Sequence, residues 1–455
     1  MRFFRRPCIP AAVLLAALLP CPTASAQAPA PRDADARTAD VLAAPTIYKL
    51  KNGLTVVLSE DDRLPLVSVV VAYKAGSIYE SAGKTGLAAL LENFMFEGSA
   101  DVPEHQHINL VNRVGGTLSA AANEERTLFY QTVPANQLAL ALWLESDRMR
   151  FLEMKEDRFE KIRGDLLEEF RQRRQSEPYL AGLAAFDLLL YKDFPFGHSL
   201  SGTEDDIRGL TLEDTRNFYN NYYGPNNAVL CITGGLNKTR ARELISRYFE
   251  SLPRCRDMAS HFEPISWIKK ATAGGAVDPL ATAPAFYLGF RIVPPPSRDY
   301  YTLVLIDYIL LRARTSRLNR RLLGLDSKIA YDLAGGIERR RDRTVYKIFV
   351  QASPAMIEPC QNAIFDEMDK LKRRFVSPEE LDKFKAVLKQ DYYLRISNAL
   401  DRALFLVDAW LTLPDMESVG RELDKFLAVT PGDVIGIANR YFTSENSVLW
   451  DIRTK

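Results

Sequence analysis

Histidine is scarce in this chain. Its 455 residues include four: His105, His107, His198 and His261. A metal centre built on imidazole therefore has few places to form, and His105-x-His107, beside Glu104, is the only close pair. Such a pair can chelate, but in a loop it is ordinarily just solvated. Cysteine is nearly as rare. Cys8 and Cys21 lie near the N-terminus, leaving Cys231, Cys255 and Cys360. Three cysteines cannot all pair within one chain, and none has metal-ligand spacing. One disulfide plus a free thiol fits the sequence, as do three small buried residues. An excess of one charge is missing too. The 59 basic residues face 58 acidic ones, which leaves no electrostatic case for nucleic acid or an anionic membrane. The apolar run Ala11 to Leu19 is too short to span a bilayer as a helix.

What is present suits folded domains. Hydrophobic residues make up 47% and charged residues 26%, an ordinary globular balance with length for two or more cores. Arg2, Arg5 and Arg6, then the apolar run, then Ala24-Ser25-Ala26 read as a signal peptide over 1–26. Cleavage there predicts an extracytoplasmic chain, most simply periplasmic. Cys21 also raises a lipid-anchored cysteine, although Pro20 departs from the small residue such sites prefer. Residues 27–44, rich in Ala, Pro and Asp, predict a disordered leader.

Tyr48 to Leu58 reads as strand-turn-strand about Asn52-Gly53. Val67 to Ala72 is a β-branched run typical of a buried strand. Helical patterns come next, at Leu87 to Phe96, Asn136 to Phe151 and Arg158 to Arg174. The strongest organising signal is an internal repeat. Thr211-x-x-Asp214 and Asn227-x-Val229-Leu230 recur 219 residues later as Thr430-x-x-Asp433 and Asn446-x-Val448-Leu449. Each copy reads as a capped helix leading into a strand. Gly274-Gly275 and several prolines suggest a linker over 254–284, between halves at 45–253 and 285–455. Strands and helices do not alternate strictly, so the expected fold is α+β: two homologous halves, each a mostly antiparallel sheet packed with helices.

The stretch Gly86-Leu87-Ala88-Ala89-Leu90-Leu91-Glu92-Asn93-Phe94-Met95-Phe96-Glu97-Gly98-Ser99 resembles the zinc-site helix of the insulinase and mitochondrial-processing-peptidase family. Active members carry H-x-x-E-H there, and Ala89 and Asn93 stand where the two histidines belong. Glu92 matches the general base. Two residues four apart face one side of a helix, which is why the family's imidazoles can share a metal. The family's third ligand, a later glutamate, falls on Glu169, with Glu168 as the alternative. Further matches are Lys51-Asn52-Gly53, Arg63-Leu64-Pro65, Gly76-Ser77, Gly115-Gly116 and Thr127-Leu128-Phe129-Tyr130. Ser119-Ala120 replaces the usual asparagine-alanine pair of the substrate-binding edge strand. His198 comes after a segment in which Phe194 replaces a family histidine.

The resemblance implies no intact catalytic site and no metal in this chain, with zinc expected in a partner subunit. Catalytic zinc takes about three protein ligands and lowers the pKa of bound water to about 7, which Glu92 alone cannot do. It implies a non-catalytic subunit of a heterodimeric zinc peptidase. A paralogue carrying H-x-x-E-H would be its partner and an unfolded peptide the shared substrate. A scaffold of the same fold and a peptidase with an atypical metal site are the rival readings. In the second half Tyr331 matches a substrate-binding tyrosine, but Gly324 stands where its arginine belongs; Arg320 and Arg321 lie in another helical phase. The charge run from Ile337 to Arg343 predicts a solvated hairpin edge.

Overall fold

The Asn52-Gly53 turn joins two strands, β1 (Thr46–Lys49) and β2 (Thr55–Glu60), with Gly53 at φ 98°. The computed structural model describes residues 44–192, 196–257, 268, 270–325, 328–340, 343–413 and 415–455. The expected signal peptide and all of the leader but Ala44 lie outside the described residues. With β3 (Leu66–Tyr73), β4 (Thr117–Ala122), β5 (Thr127–Pro134) and β6 (Ala228–Gly234), the first sheet runs β1-β2-β6-β3-β5-β4. A second sheet contains β7 (Thr272–Val277), β8 (Ala285–Ile292), β9 (Ala330–Arg340), β10 (Arg343–Ala352) and β11 (Ser447–Arg453), in the order β7-β11-β8-β10-β9. One pair in each sheet is parallel, β2 with β6 and β7 with β11, and the other pairs are antiparallel. Apart from β1, the sheets share one order and one pairing sense. The fold is α+β with two homologous halves, as expected.

Four helices from each half carry the repeat and bear on the sites. The first half has α1 (Leu87–Phe94), α2 (Glu156–Ser176), α3 (Leu180–Tyr191) and α4 (Leu212–Tyr222). The second has α5 (Arg298–Asp307), which runs into a π turn at Tyr308–Arg312, then α6 (Pro378–Leu394), α7 (Ala399–Thr412) and α8 (Pro431–Tyr441). The repeat is visible atom by atom. Thr211 and Thr430 close capping boxes with Asp214 and Asp433 at the starts of α4 and α8. Asn227 donates to the carbonyls of Lys74 and Tyr222, and Asn446 donates to those of Arg291 and Tyr441.

Each half covers the other half's sheet. Helix α7 packs on β3 and β6, and its repeat counterpart α3 packs on β8 and β11. Val57, Val70 and Val229 of the first sheet therefore share a core with Phe405 and Leu406 of α7. Phe186 and Leu190 of α3 pack with Tyr287 and Val448. Both faces of the central strands are thus dry, so β6 and β8 are buried at every position and read as unbroken apolar runs. Close approach fixes two glycines. A Cβ on Gly182 would lie 2.5 Å from Ile452, and one on Gly289 would lie 2.6 Å from Phe186. Asp61 meets Arg402 of α7 at 3.1 Å, and Asp278 accepts the Tyr179 amide, just before α3, at 2.6 Å.

One expectation needs correction. Residues 272–277, placed within the linker 254–284, form β7 and pair with β11. Gly274 is there for packing, because a Cβ would meet the Trp450 ring at 2.5 Å. The glycine pair that looked like a linker signal leaves room for an aromatic ring.

Candidate functional site

Helix α1 keeps its structure through one face. Leu87, Ala88, Leu90, Leu91 and Phe94 are buried, whereas Ala89 and Glu92 are half-buried and Asn93 is exposed. Its N-terminus is capped from outside the helix. Glu80 accepts the amides of Gly86 at 3.0 Å and Ala88 at 2.8 Å, and His198 Nε2 lies 3.1 Å from the same carboxylate. A buried anion at this end satisfies otherwise orphaned amides and complements the helix dipole. Glu80 was not among the residues that the sequence pattern singled out. A carboxylate a few residues before a helix was the available signal, but nothing in the spacing indicates that it folds back.

The open face of α1 meets α2 and the edge strand β4. Burial holds the Glu92 carboxyl above the usual carboxylate range; the Ala122 amide bonded to it opposes the shift, and the charge of Glu169 adds to it. The two residues sit on α1 and α2, which pack against each other. Glu168 and Glu169 are both exposed, and Glu168 accepts from Gln172 on its own helix at 3.2 Å. Asn93 turns its amide back and donates to the Ala89 carbonyl at 3.2 Å. At the three positions that the resemblance assigns to zinc ligands stand a methyl group, an amide held by its own helix and the Glu169 carboxylate. A catalytic zinc takes about three protein donors plus water, and these residues do not fit it.

Among the described residues, the histidines do not rebuild a site at those positions. His107 is buried beneath Phe96, and burial, with Arg148 nearby, holds its pKa well below the ordinary imidazole value. His105 is exposed, 3.2 Å from Glu104. Glu97, Glu104 and His105 form the one metal-sized group of ligand atoms among the described residues. Arg158, however, donates to Glu104 at 2.8 Å and to the Glu97 carbonyl, placing a guanidinium against that group. Phe194 and His261 lie outside the described residues.

Ser119 and Ala120 sit on the edge strand β4, paired on one side with Tyr130 and Phe129 of β5. Tyr331 lies on β9, the corresponding edge of the second sheet, and is 58% exposed. No described hydrogen bond or ion pair joins it to Glu92 or Glu169. Arg321 is held by Asp366 and Glu367, and Arg317 by Glu380 at 2.6 Å. The charge run after Ile337 departs from a solvated edge. Arg343 is 2% exposed over the Phe196 ring, and Glu338 accepts from Tyr191 and pairs with Lys347 at 2.7 Å. Residues 341–342 and the Arg340 side chain lie outside the described residues. Cys231, Cys255 and Cys360 are unpaired thiols, the first and last buried.

Paired half-repeats, edge strands β4 and β9, and the α1–α2 site define a protein of zinc-metallopeptidase architecture. The chain belongs to the insulinase family, peptidase family M16. It matches the insulinase description over residues 55–203 and the peptidase M16 inactive domain over residues 209–388. It is 27% identical to the zinc protease PqqE of Helicobacter pylori over 405 residues, covering 88% of this chain and 90% of that protein. The crystal structure of a protease from Helicobacter pylori superposes with a TM-score of 0.86 at 25% identity, covering 90% of this chain and 100% of that one. The periplasmic protease PqqL of Escherichia coli shares the fold, with a TM-score of 0.75 at 17% identity over 90% of this chain and 47% of its own. Bovine cytochrome b-c1 complex subunit 1 is 26% identical over 211 residues, 45% of this chain and 42% of that protein. No helix among the described residues is long and apolar enough to cross a membrane.

Proposed function

We propose that this chain is the non-catalytic subunit of a heterodimeric, extracytoplasmic zinc peptidase of the insulinase family. It encloses an unfolded peptide while a paralogous partner carrying H-x-x-E-H supplies the zinc. The observation that carries this reading is the donor set at residues 89, 93 and 169. Without imidazoles the site lacks the metal that would activate water, and a lone carboxylate does not replace it. Edge strands β4 and β9 support a binding role, since an exposed edge can take an extended peptide as an added strand. The N-terminal signal pattern supports a periplasmic location, and PqqL, which shares the fold, is described as periplasmic.

Purification from the native host tests the proposal. The expected result is a stable complex whose peptidase activity is lost when the partner's metal-binding histidines are replaced and kept after Glu92→Gln in this chain. A partner that purifies alone and is fully active sinks it, as does one tightly bound zinc per copy of this chain. A scaffold role without proteolysis is the second reading, favoured by the similarity to cytochrome b-c1 subunit 1. An assembly that contains this chain and cleaves no peptide would select it.

A further inference from the structure

The internal repeat gives the zinc-position site a counterpart in the second half. There α5 with its π turn, α6, α7 and β9 correspond to α1, α2, α3 and β4. Between them lies a cavity of about 550 Å³, within the usual range for small-molecule sites. Its walls carry both signs of charge. The π turn sets one of them, because i to i+5 spacing brings Arg312 Nε to 3.3 Å from Asp307 Oδ2. Gly336, at φ 129°, lets β9 approach: a Cβ there would stand 3.3 Å from Asp307 Oδ2. Three residues along the same strand, Arg339 lines the same cavity.

Most charges on these walls are already committed. Asp408 is held by Arg126 and by Arg395 at 3.1 Å, and Asp391 accepts Tyr308 Oη at 2.8 Å. Two groups are only partly so. Asp307 is 1% exposed; its Oδ2 is taken by Arg312, while its Oδ1 reaches no hydrogen-bond partner among the described residues. Among the same residues Arg339 comes no nearer to a carboxylate than 3.9 Å, at Asp408. A buried acceptor without a donor costs about 1–3 kcal/mol, so a ligand that supplies one is favoured. Tyr300, Phe405 and Phe426 give the cavity an apolar lining.

We propose that this cavity binds a small zwitterion of the amino-acid type, its ammonium on Asp307, its carboxylate on Arg339 and its apolar side chain against the aromatic wall. The shared chemistry admits a free amino acid or a di- or tripeptide. Its lining includes none of the residues at 89, 92 and 93. Titration calorimetry on the full chain, with leucine, leucyl-leucine, leucinamide and 4-methylpentanoate, tests it. Leucine or leucyl-leucine should bind, and the tighter of the two identifies the source. Leucinamide lacks the carboxylate and 4-methylpentanoate lacks the amine, so each should bind at least about tenfold more weakly. Asp307→Asn and Arg339→Gln should each weaken the zwitterion about tenfold or more, with far-UV circular dichroism unchanged. If one variant does not fold, the other and the ligand series still decide. No heat from any of the four at about 10 mM overturns the proposal. So does leucinamide or 4-methylpentanoate binding as tightly as leucine, or full affinity in a folded Asp307→Asn protein.

Discussion

Replacing Asp307 with asparagine should stabilise the protein, and by more at alkaline pH than at acid pH. Burial lifts this carboxyl from 3.8 to about 7, against the pull of Arg312 on the π turn, Tyr346 on β10 and the Ile337 amide on β9. A raised carboxyl pKa means that the native protein keeps a proton which the unfolded chain has released. Stability therefore falls as pH rises from about 4 to about 7 and stays low above that. With those two values the cost is about 1.7 kcal/mol at pH 5 and about 4 kcal/mol at pH 8. Asparagine has no proton to lose, so the variant should gain about 2.5 kcal/mol on the parent between those two pH values. Urea unfolding of both proteins at each pH, monitored by tryptophan fluorescence and circular dichroism, measures the difference. The shared core of the two halves favours one common transition. A pH-independent difference, flat to within about 0.5 kcal/mol, would refute the reasoning.

Restoring both imidazoles, as Ala89→His with Asn93→His, should create a site that binds one zinc per chain, read by metal analysis after dialysis. Adding Glu169→Gln should weaken that binding by about tenfold or more, and no change would mean that Glu169 is not the third ligand. Gly289→Val should destabilise the protein by about 1–3 kcal/mol in thermal unfolding, since α3 leaves no room over β8. Asn446→Ala should cost about 2–3 kcal/mol, because the Tyr441 and Arg291 carbonyls lose a buried donor. A cost below about 0.5 kcal/mol would show that those bonds contribute little.

The repeat was legible because its signals are local. A threonine cap, its aspartate three residues on and an asparagine before a strand are read within one stretch of chain, and each closes the bonds its spacing implies. The pairing of α3 and α7 with opposite sheets was not legible. Amphipathic spacing says that a helix has a buried face, not which sheet covers it. The same limit hid β7, since glycine in a strand and glycine in a linker look alike until Trp450 lies on it. At the site, the four-residue spacing puts Ala89 and Asn93 one helical turn apart, close enough for the Asn93 amide to reach the Ala89 carbonyl. Glu80, His198 and the second-half cavity depend on contacts across 118 residues or on a π turn, and periodicity carries neither.

Helix α1 explains how a zinc-site frame can persist without its zinc ligands. The side chains that hold it, Leu87, Leu90, Leu91 and Phe94, point into the first-half core, and Glu80 caps its N-terminus. Asn93 is exposed, and Ala89 adds only a half-buried methyl group at the edge of that core. Each half's sheet also depends on a helix of the other half, so neither half can be lost without baring a fully apolar face. Metal ligation is therefore separable from folding at this helix, whereas the arrangement of sheets and edge strands is not. Under the proposed function, a chain with no demand to bind zinc can carry Ala89 and Asn93 at small cost to its fold.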